Sequence, residues 1–278
     1  MERNPDGSGP RLLVSVRSLQ EADEAIAGGC DILDIKEPRR GSLGAASEET
    51  IQEVAKSGRR SGVPVSAALG ECTEWQRSES LLQPGAVAKF DLQFVKLGLA
   101  GMRQRQNWAE EWLCLAARCA GKAAAGARHV AVVYADWQTA DAPCPQEILD
   151  VVSRTTRTRQ LPSGERNGLF SGVLIDTFEK SSGRLLDAMD PQEIQNMRQQ
   201  TAACGLFLGL AGRLTQAMLP QLVSLAPDIV AVRSAACRGQ QRNADVERTT
   251  VSQFRQSMRS CWGPGAGGTA RVNGSSHV

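Results

Sequence analysis

Lysines and carboxylates at the ends of apolar runs are the residues of this chain whose placement calls for a chemical explanation. The run Asp31-Ile32-Leu33-Asp34-Ile35-Lys36 carries an acid and a base two positions apart. In an extended strand alternate residues share a face, so Leu33 and Ile35 point one way and Ile32, Asp34 and Lys36 the other. Phe94-Val95-Lys96-Leu97-Gly98 carries Lys96 as the last charge on an apolar run, and Gly172-Val173-Leu174-Ile175-Asp176 ends on an acid with Lys180 four residues on. Tyr134-Ala135-Asp136 adds another carboxylate. Each has a plainer reading: an ion pair for Asp34 and Lys36, a Lys96 that snorkels to water, an Asp176 or Asp136 that caps a loop, a solvated Lys180. Buried charges are costly unless paired or used, and gathered at one place these six groups point to amine chemistry. A lysine in a partly apolar pocket beside other cations loses basicity. Its neutral amine attacks an aldehyde or ketone, the iminium formed is an electron sink, and a second lysine or a carboxylate moves protons. On this reading Lys36 is the central nucleophile of class I aldolase chemistry, with Lys96, Asp34, Asp176 and Lys180 as its catalytic partners.

Such residues need a scaffold that brings strand ends together. Between a polar leader (1–10) and a Gly-rich tail (263–278), short apolar runs alternate with helical segments. The strands are expected at Leu12–Val16, Asp31–Lys36, Val63–Leu69, Leu92–Leu97, Val130–Ala135, Gly172–Asp176, Leu206–Leu210 and Asp228–Arg233. The helices are expected at Ser18–Ala27, Ser47–Ser57, Thr73–Val87 (partly irregular), Gln104–Ala125, Pro145–Thr156, Pro191–Ala203, Leu214–Leu225 and Asp245–Cys261. Ser47 before Glu48 and Glu49, and Asp190 before Pro191, are helix-start signals, while Gly28-Gly29 and Gly126 suit helix ends. Alternation of this kind predicts parallel β/α units, and eight of them predict a single closed (β/α)8 TIM barrel over residues 11–262, with the two tails disordered. Residues 159–169 read as a surface insertion. In such a barrel Leu33 and Ile35 face the helices, and Asp34 and Lys36 point inward near the C-terminal mouth, where barrel enzymes work.

The loops after the seventh and eighth strands carry Ala211-Gly212-Arg213 and Arg233-Ser234-Ala235. Loops at these places often bind phosphate through backbone N–H groups. Gly212, Arg213, Arg233 and Ser234 are therefore expected to contact substrate, together with Ser15 and Asp136; the plainer readings are a turn glycine and surface ion pairs. With 32 basic and 30 acidic residues there is no global field for nucleic acid or an acidic membrane. The basic runs at 39–40, 59–60 and 154–159 lack interleaved aromatics and read as solvated faces. Eight cysteines without a C-x-x-C pair, and only His129 and His277, give no metal site and no histidine triad. With neither a signal peptide nor a membrane-length apolar run in view, a cytoplasmic protein with reduced thiols is expected.

At these residues the chain resembles the (5-formylfuran-3-yl)methyl phosphate synthase family, 4-(hydroxymethyl)-2-furancarboxaldehyde-phosphate synthases of methanofuran biosynthesis. The resemblance rests on LLVSV (12–16), EAIAGGCDILDIKEPRRGSLGA (24–45), VSAALG (65–70), FVKLGLAG (94–101), YAD (134–136), LIDTFEK (174–180), LAGRL (210–214) and IVAVRSAACRGQQRN (229–243). It implies condensation of two glyceraldehyde 3-phosphate molecules with loss of phosphate and water, and no external cofactor. It implies Lys36 as the Schiff-base lysine and Lys96 as the proton acceptor, with Asp34, Asp176 and Lys180 among the charged residues of that site. The segment 159–169, both tails, Arg213 and Ser234 depart from the family pattern. The partner expected is a small triose phosphate, with neither nucleic acid nor membrane, in a protein that assembles as a homo-oligomer. The alternatives are another class I aldolase acting on sugar phosphates, or a phosphate-sugar binding protein without turnover.

Overall fold

Eight parallel strands close on themselves in sequence order in a computed structural model that describes residues 9–120, 127–157, 168–181 and 183–263. The strands are β1 (Arg11–Val16), β2 (Ile32–Ile35), β3 (Val65–Glu71), β4 (Phe94–Gly98), β5 (Arg128–Tyr134), β6 (Phe170–Asp176), β7 (Phe207–Leu210) and β8 (Ile229–Val232). The expected runs each contain or overlap one of these, and the TIM barrel follows from them. The expected leader and tail lie largely outside the described residues, as does most of 159–169. Pro10, within the expected leader, is buried, and Gly9 backs onto Trp262.

Around the barrel run α1 (Leu19–Ala27), α2 (Glu48–Ser61), α3 (Cys72–Gln76), α4 (Pro84–Val87), α5 (Trp108–Ala120), α6 (Pro145–Arg157), α7 (Leu185–Ala188), α8 (Pro191–Ala203), α9 (Leu219–Val223) and α10 (Arg248–Trp262). The helix-start signals act as expected. Ser47 Oγ accepts from the Thr50 amide at 3.2 Å, and Asp190 Oδ1 accepts from the Gln192 amide at 2.6 Å. Several expected helices differ: the second runs on to Ser61, and the fourth starts at Trp108 rather than Gln104, with 121–125 outside the described residues. The third is two short pieces, α3 and α4, because Ser78 takes a left-handed φ of 59° and Pro84 starts a new first turn. The seventh is a 3-10 turn at Gln216–Met218 followed by α9, since Pro220 lacks the N–H that would continue the first ladder. The eighth starts three residues late, because Val246 forms an antiparallel bridge with Cys237 before α10 begins.

Period-two alternation sorts the core into two shells. Leu33 and Ile35 join the outer cluster with the helices, whereas Ile32 packs inside with Leu13, Phe94, Val130, Leu174, Phe207, Ala211, Ile229 and Ala231. This interior layer is apolar and forms the floor beneath the charged residues at the C-terminal ends of the strands. Phe94 and Phe207 meet edge to face there, with ring centroids 5.7 Å apart.

Phe207 fits because Gly172 has no side chain: a Cβ at that position would lie 2.4 Å from Phe207 Cδ2. Gly172→Ala is expected to destabilise the protein by about 1–3 kcal/mol through overpacking. Urea unfolding would measure it, and Phe207→Leu in the Gly172→Ala background should recover part of the loss. A Gly172→Ala protein as stable as the parent would contradict this account of the floor.

Candidate active site

Asp34 on β2 is gripped from two neighbouring elements. Ser15, beside it in the β1–β2 register, donates through Oγ to Asp34 Oδ2 at 3.1 Å. Lys96 of β4 reaches across the barrel to form an ion pair with Asp34 Oδ1, and both side chains are only 2% exposed. Removing one partner of an ion pair this sheltered is costly, since it leaves a buried charge uncompensated.

A second cluster sits at the end of β6. Lys180 Nζ bonds Asp176 Oδ1 at 2.7 Å and Thr177 Oγ1 at 3.2 Å. The Thr177 amide donates to Asp176 Oδ1 at 2.8 Å, and Ser42 Oγ lies 3.3 Å from Asp176 Oδ2 and 3.0 Å from the Thr177 carbonyl. Burial alone would raise the Asp176 carboxyl, but Lys180 and Lys36 outweigh it and hold the group below its ordinary value. Burial lowers Lys180, with Asp176 opposing.

Lys36 stands between the two clusters. It is buried, lines the mouth pocket with Asp34, Lys96, Asp176 and Lys180, and among the described residues no group accepts a hydrogen bond from its amine. Burial pushes its pKa down to about 7; Asp176 and Asp34 oppose the shift, and Lys180 and Arg242 add to it. At neutral pH a large fraction of Lys36 is thus a free amine, the form that attacks carbonyl carbon. The five catalytic residues expected from sequence come together at one mouth.

The expected substrate contacts divide. Ser15, Gly212, Arg213, Arg233 and Ser234 all line the pocket. Gly212 has φ +97°, a left-handed conformation that favours glycine, and Arg213 is exposed at the rim. Arg233 differs from its expected role. A guanidinium has five N–H donors, and Arg233 uses all five: Nε to the Arg242 carbonyl (3.0 Å), Nη1 to the Ser15 carbonyl (3.0 Å) and to Glu21 Oε2, Nη2 to Glu21 Oε1 (3.0 Å) and to the Ala244 carbonyl (2.9 Å). Asp136 also differs, because it is not among the pocket-lining residues. Its two carboxylate oxygens accept from the Phe178 (2.6 Å) and Glu179 (2.8 Å) amides, which fixes the loop carrying Lys180.

Several residues escaped sequence reasoning. Ser42 and Arg242 sit in polar loops without periodicity, and Glu21 reads as an ordinary first-turn acid of α1. Glu71, at the end of β3, accepts from Tyr134 Oη at 2.5 Å and from the Ala100 amide at 2.9 Å. Burial pushes Glu71 up to about 7 against those two bonds. A carboxyl ending a strand beside Gly70 was the only available signal. His129 is a buried core residue whose Nε2 lies 2.8 Å from the Ala116 carbonyl. Among the described residues no cluster of His, Cys, Asp and Glu could hold a metal ion, and no helix is long and apolar enough to cross a membrane.

Fold and site define a TIM barrel with an acid–base cluster built around a buried, unpaired lysine. The chain belongs to the 4-HFC-P synthase family, whose model matches residues 12–255. It is 29% identical over 249 residues to the (5-formylfuran-3-yl)methyl phosphate synthase of Archaeoglobus fulgidus, covering 89% of this chain and 99% of that protein. It is 32% identical over 233 residues to the synthase of the same name from Methanococcus maripaludis, covering 84% and 92%. Among solved structures, phosphoribosylanthranilate isomerase of Thermotoga maritima superimposes with a TM-score of 0.55 at 13% identity, covering 90% of this chain and 99% of that one. At that identity the likeness concerns the fold.

Two outcomes follow from the geometry. Reductive methylation of Lys36, followed by mass spectrometry, should rise with pH through a midpoint near 7, whereas an ordinary exposed lysine requires a pH near about 10.4. A Lys36 midpoint near that ordinary value would mean that burial does not set its basicity. Asp136→Ala should strip the Phe178 and Glu179 amides of their acceptor, at about 1–3 kcal/mol each. Hydrogen exchange in residues 177–181 should then quicken relative to that in β6.

Proposed function

We propose that this chain is a (5-formylfuran-3-yl)methyl phosphate synthase of methanofuran biosynthesis, a lyase-type enzyme working through a Schiff base on Lys36. It joins two molecules of glyceraldehyde 3-phosphate and releases one phosphate and water. The observation that carries this reading is the buried Lys36 amine, unpaired and lowered to about 7 between two carboxylate clusters. Family membership and the names of the relatives support the product, a formylfuranylmethyl phosphate; a triose phosphate as its precursor is our reading.

The Lys36 amine adds to the aldehyde carbon of one triose phosphate, and loss of water leaves an iminium. The iminium acidifies the neighbouring C–H, and its deprotonation gives an enamine that expels the phosphate from its β-carbon. The terminal carbon of the resulting enol attacks the C2 carbonyl of the second molecule in its ketose form. Ring closure with loss of water, followed by hydrolysis of the imine, releases the furan aldehyde and frees Lys36. The Asp34–Lys96 pair supplies a coupled acid and base on one side of Lys36, and Asp176 with Lys180 supplies another. Asp34 and Asp176 also stabilise the cationic iminium, because opposite charge in a water-poor site is worth more than in solvent. The iminium is itself the electron sink, so the chemistry calls for no external cofactor.

Incubation with glyceraldehyde 3-phosphate should produce ultraviolet absorbance from a conjugated furan aldehyde. Borohydride with substrate should fix a single adduct on Lys36, and Lys36→Ala should lower the rate by more than about 10³-fold. An adduct on another lysine would remove the stated mechanism. A simple aldol product would reassign the chain to another class I aldolase, and tight substrate binding without turnover would make it a binding protein.

A further inference from the structure

Among the described residues six lysine and arginine side chains line the mouth, and five are accounted for. Lys36 is the free amine; Lys96 is paired with Asp34 and Lys180 with Asp176. Arg233 has every donor satisfied. Arg213 stands exposed at the rim. The sixth is Arg242, which lines the same pocket and is half-buried. Among the described residues its guanidinium donates one hydrogen bond, Nη2 to the Gly41 carbonyl at 3.0 Å, and forms no ion pair within 4.0 Å. A guanidinium drawn into a pocket without a counter-ion is costly, and its planar fork matches the oxygens of a phosphate.

The loop bearing Arg242 is built to hold it there. Cys237 and Val246 close its base as an antiparallel bridge, and the Arg238 amide bonds the Asp245 carbonyl at 2.9 Å. Arg17 clamps Asp245 at 2.9 Å from outside. From beneath, Arg233 binds the carbonyls of both Arg242 and Ala244 while Glu21 of α1 holds its other edge. Arg233 therefore faces the loop backbone, and the side chain of Arg242 faces the pocket.

We infer that Arg242 is the residue that receives the substrate's phosphate on the β8 side of the mouth, and that Arg233, locked by Glu21, is a positioning residue acting through it. The phosphate class of the ligand rests on the proposed function. The test uses glycerol 3-phosphate, which carries the phosphate but no carbonyl and so forms no Schiff base. Binding to the full chain is measured by titration calorimetry. Arg242→Gln should weaken it at least tenfold, Arg242→Lys by a smaller factor, and Arg213→Gln by less than threefold. Arg233→Lys should weaken binding when Arg242 is present and add nothing to Arg242→Gln, a non-additivity that general loosening of the barrel would not produce. If Arg242→Gln does not fold, Arg242→Lys, which retains the charge and the stem, decides. Affinity unchanged in the Arg242 variants, a loss confined to Arg213→Gln, or no binding by the parent protein would each overturn the inference. Because the probe bypasses Lys36, a failed Schiff-base mechanism would leave this result standing, and a failed phosphate contact would leave the borohydride result standing.

Discussion

Charge balance inside a water-poor barrel mouth is the constraint on which the rest of this structure depends. Asp34 is neutralised by Lys96, Asp176 by Lys180 and Glu21 by Arg233. Each pair removes a penalty that an isolated buried ion would impose. Among the described lysines of the mouth, Lys36 is left without a hydrogen-bond or ion-pair partner, and burial is the largest influence on its basicity. Pairing it directly with Asp34 or Asp176 would restore its positive charge and remove the nucleophile. The site thus depends as much on keeping one lysine unpaired as on pairing the others.

The surrounding fold serves that arrangement. The apolar interior layer of Leu13, Ile32, Phe94, Leu174, Phe207 and Ala231 excludes water from below. Above it, Leu43, Ala68, Val132 and Tyr134 form a further apolar cluster with Phe178 packed against it, the Tyr134 and Phe178 rings meeting at 5.3 Å. Loops that would otherwise be free are tied by backbone acceptors and donors: Asp136 holds the turn before Lys180, Ser42 reaches Asp176, and Arg233 holds the Arg242 loop. Sites held by such supports keep their geometry without reorganising when charge develops.

The chain's own alternation made the barrel and its inner charges legible. Eight apolar runs separated by helical segments left little other than a closed parallel sheet. On β2, period two alone turned Asp34 and Lys36 inward and Leu33 outward, and Lys96 within β4 and Asp176 at the end of β6 reached the same mouth. These readings worked because strand geometry is local: the direction of a side chain follows from its neighbours in sequence.

What a charged residue does once it arrives was not local. Arg233 and Arg242 are nine positions apart and alike in type, yet one is spent on Glu21, 212 positions away, and the other faces the pocket. Asp136 serves amides 42 and 43 residues on, and Glu71 meets Tyr134 across 63. The sequence by itself determined the barrel, the inward face of Lys36 and the identity of its charged companions. Only the tertiary structure decided which charges are paired and which remain free, because each pairing is set by donors and acceptors brought together from distant strands when the sheet closes.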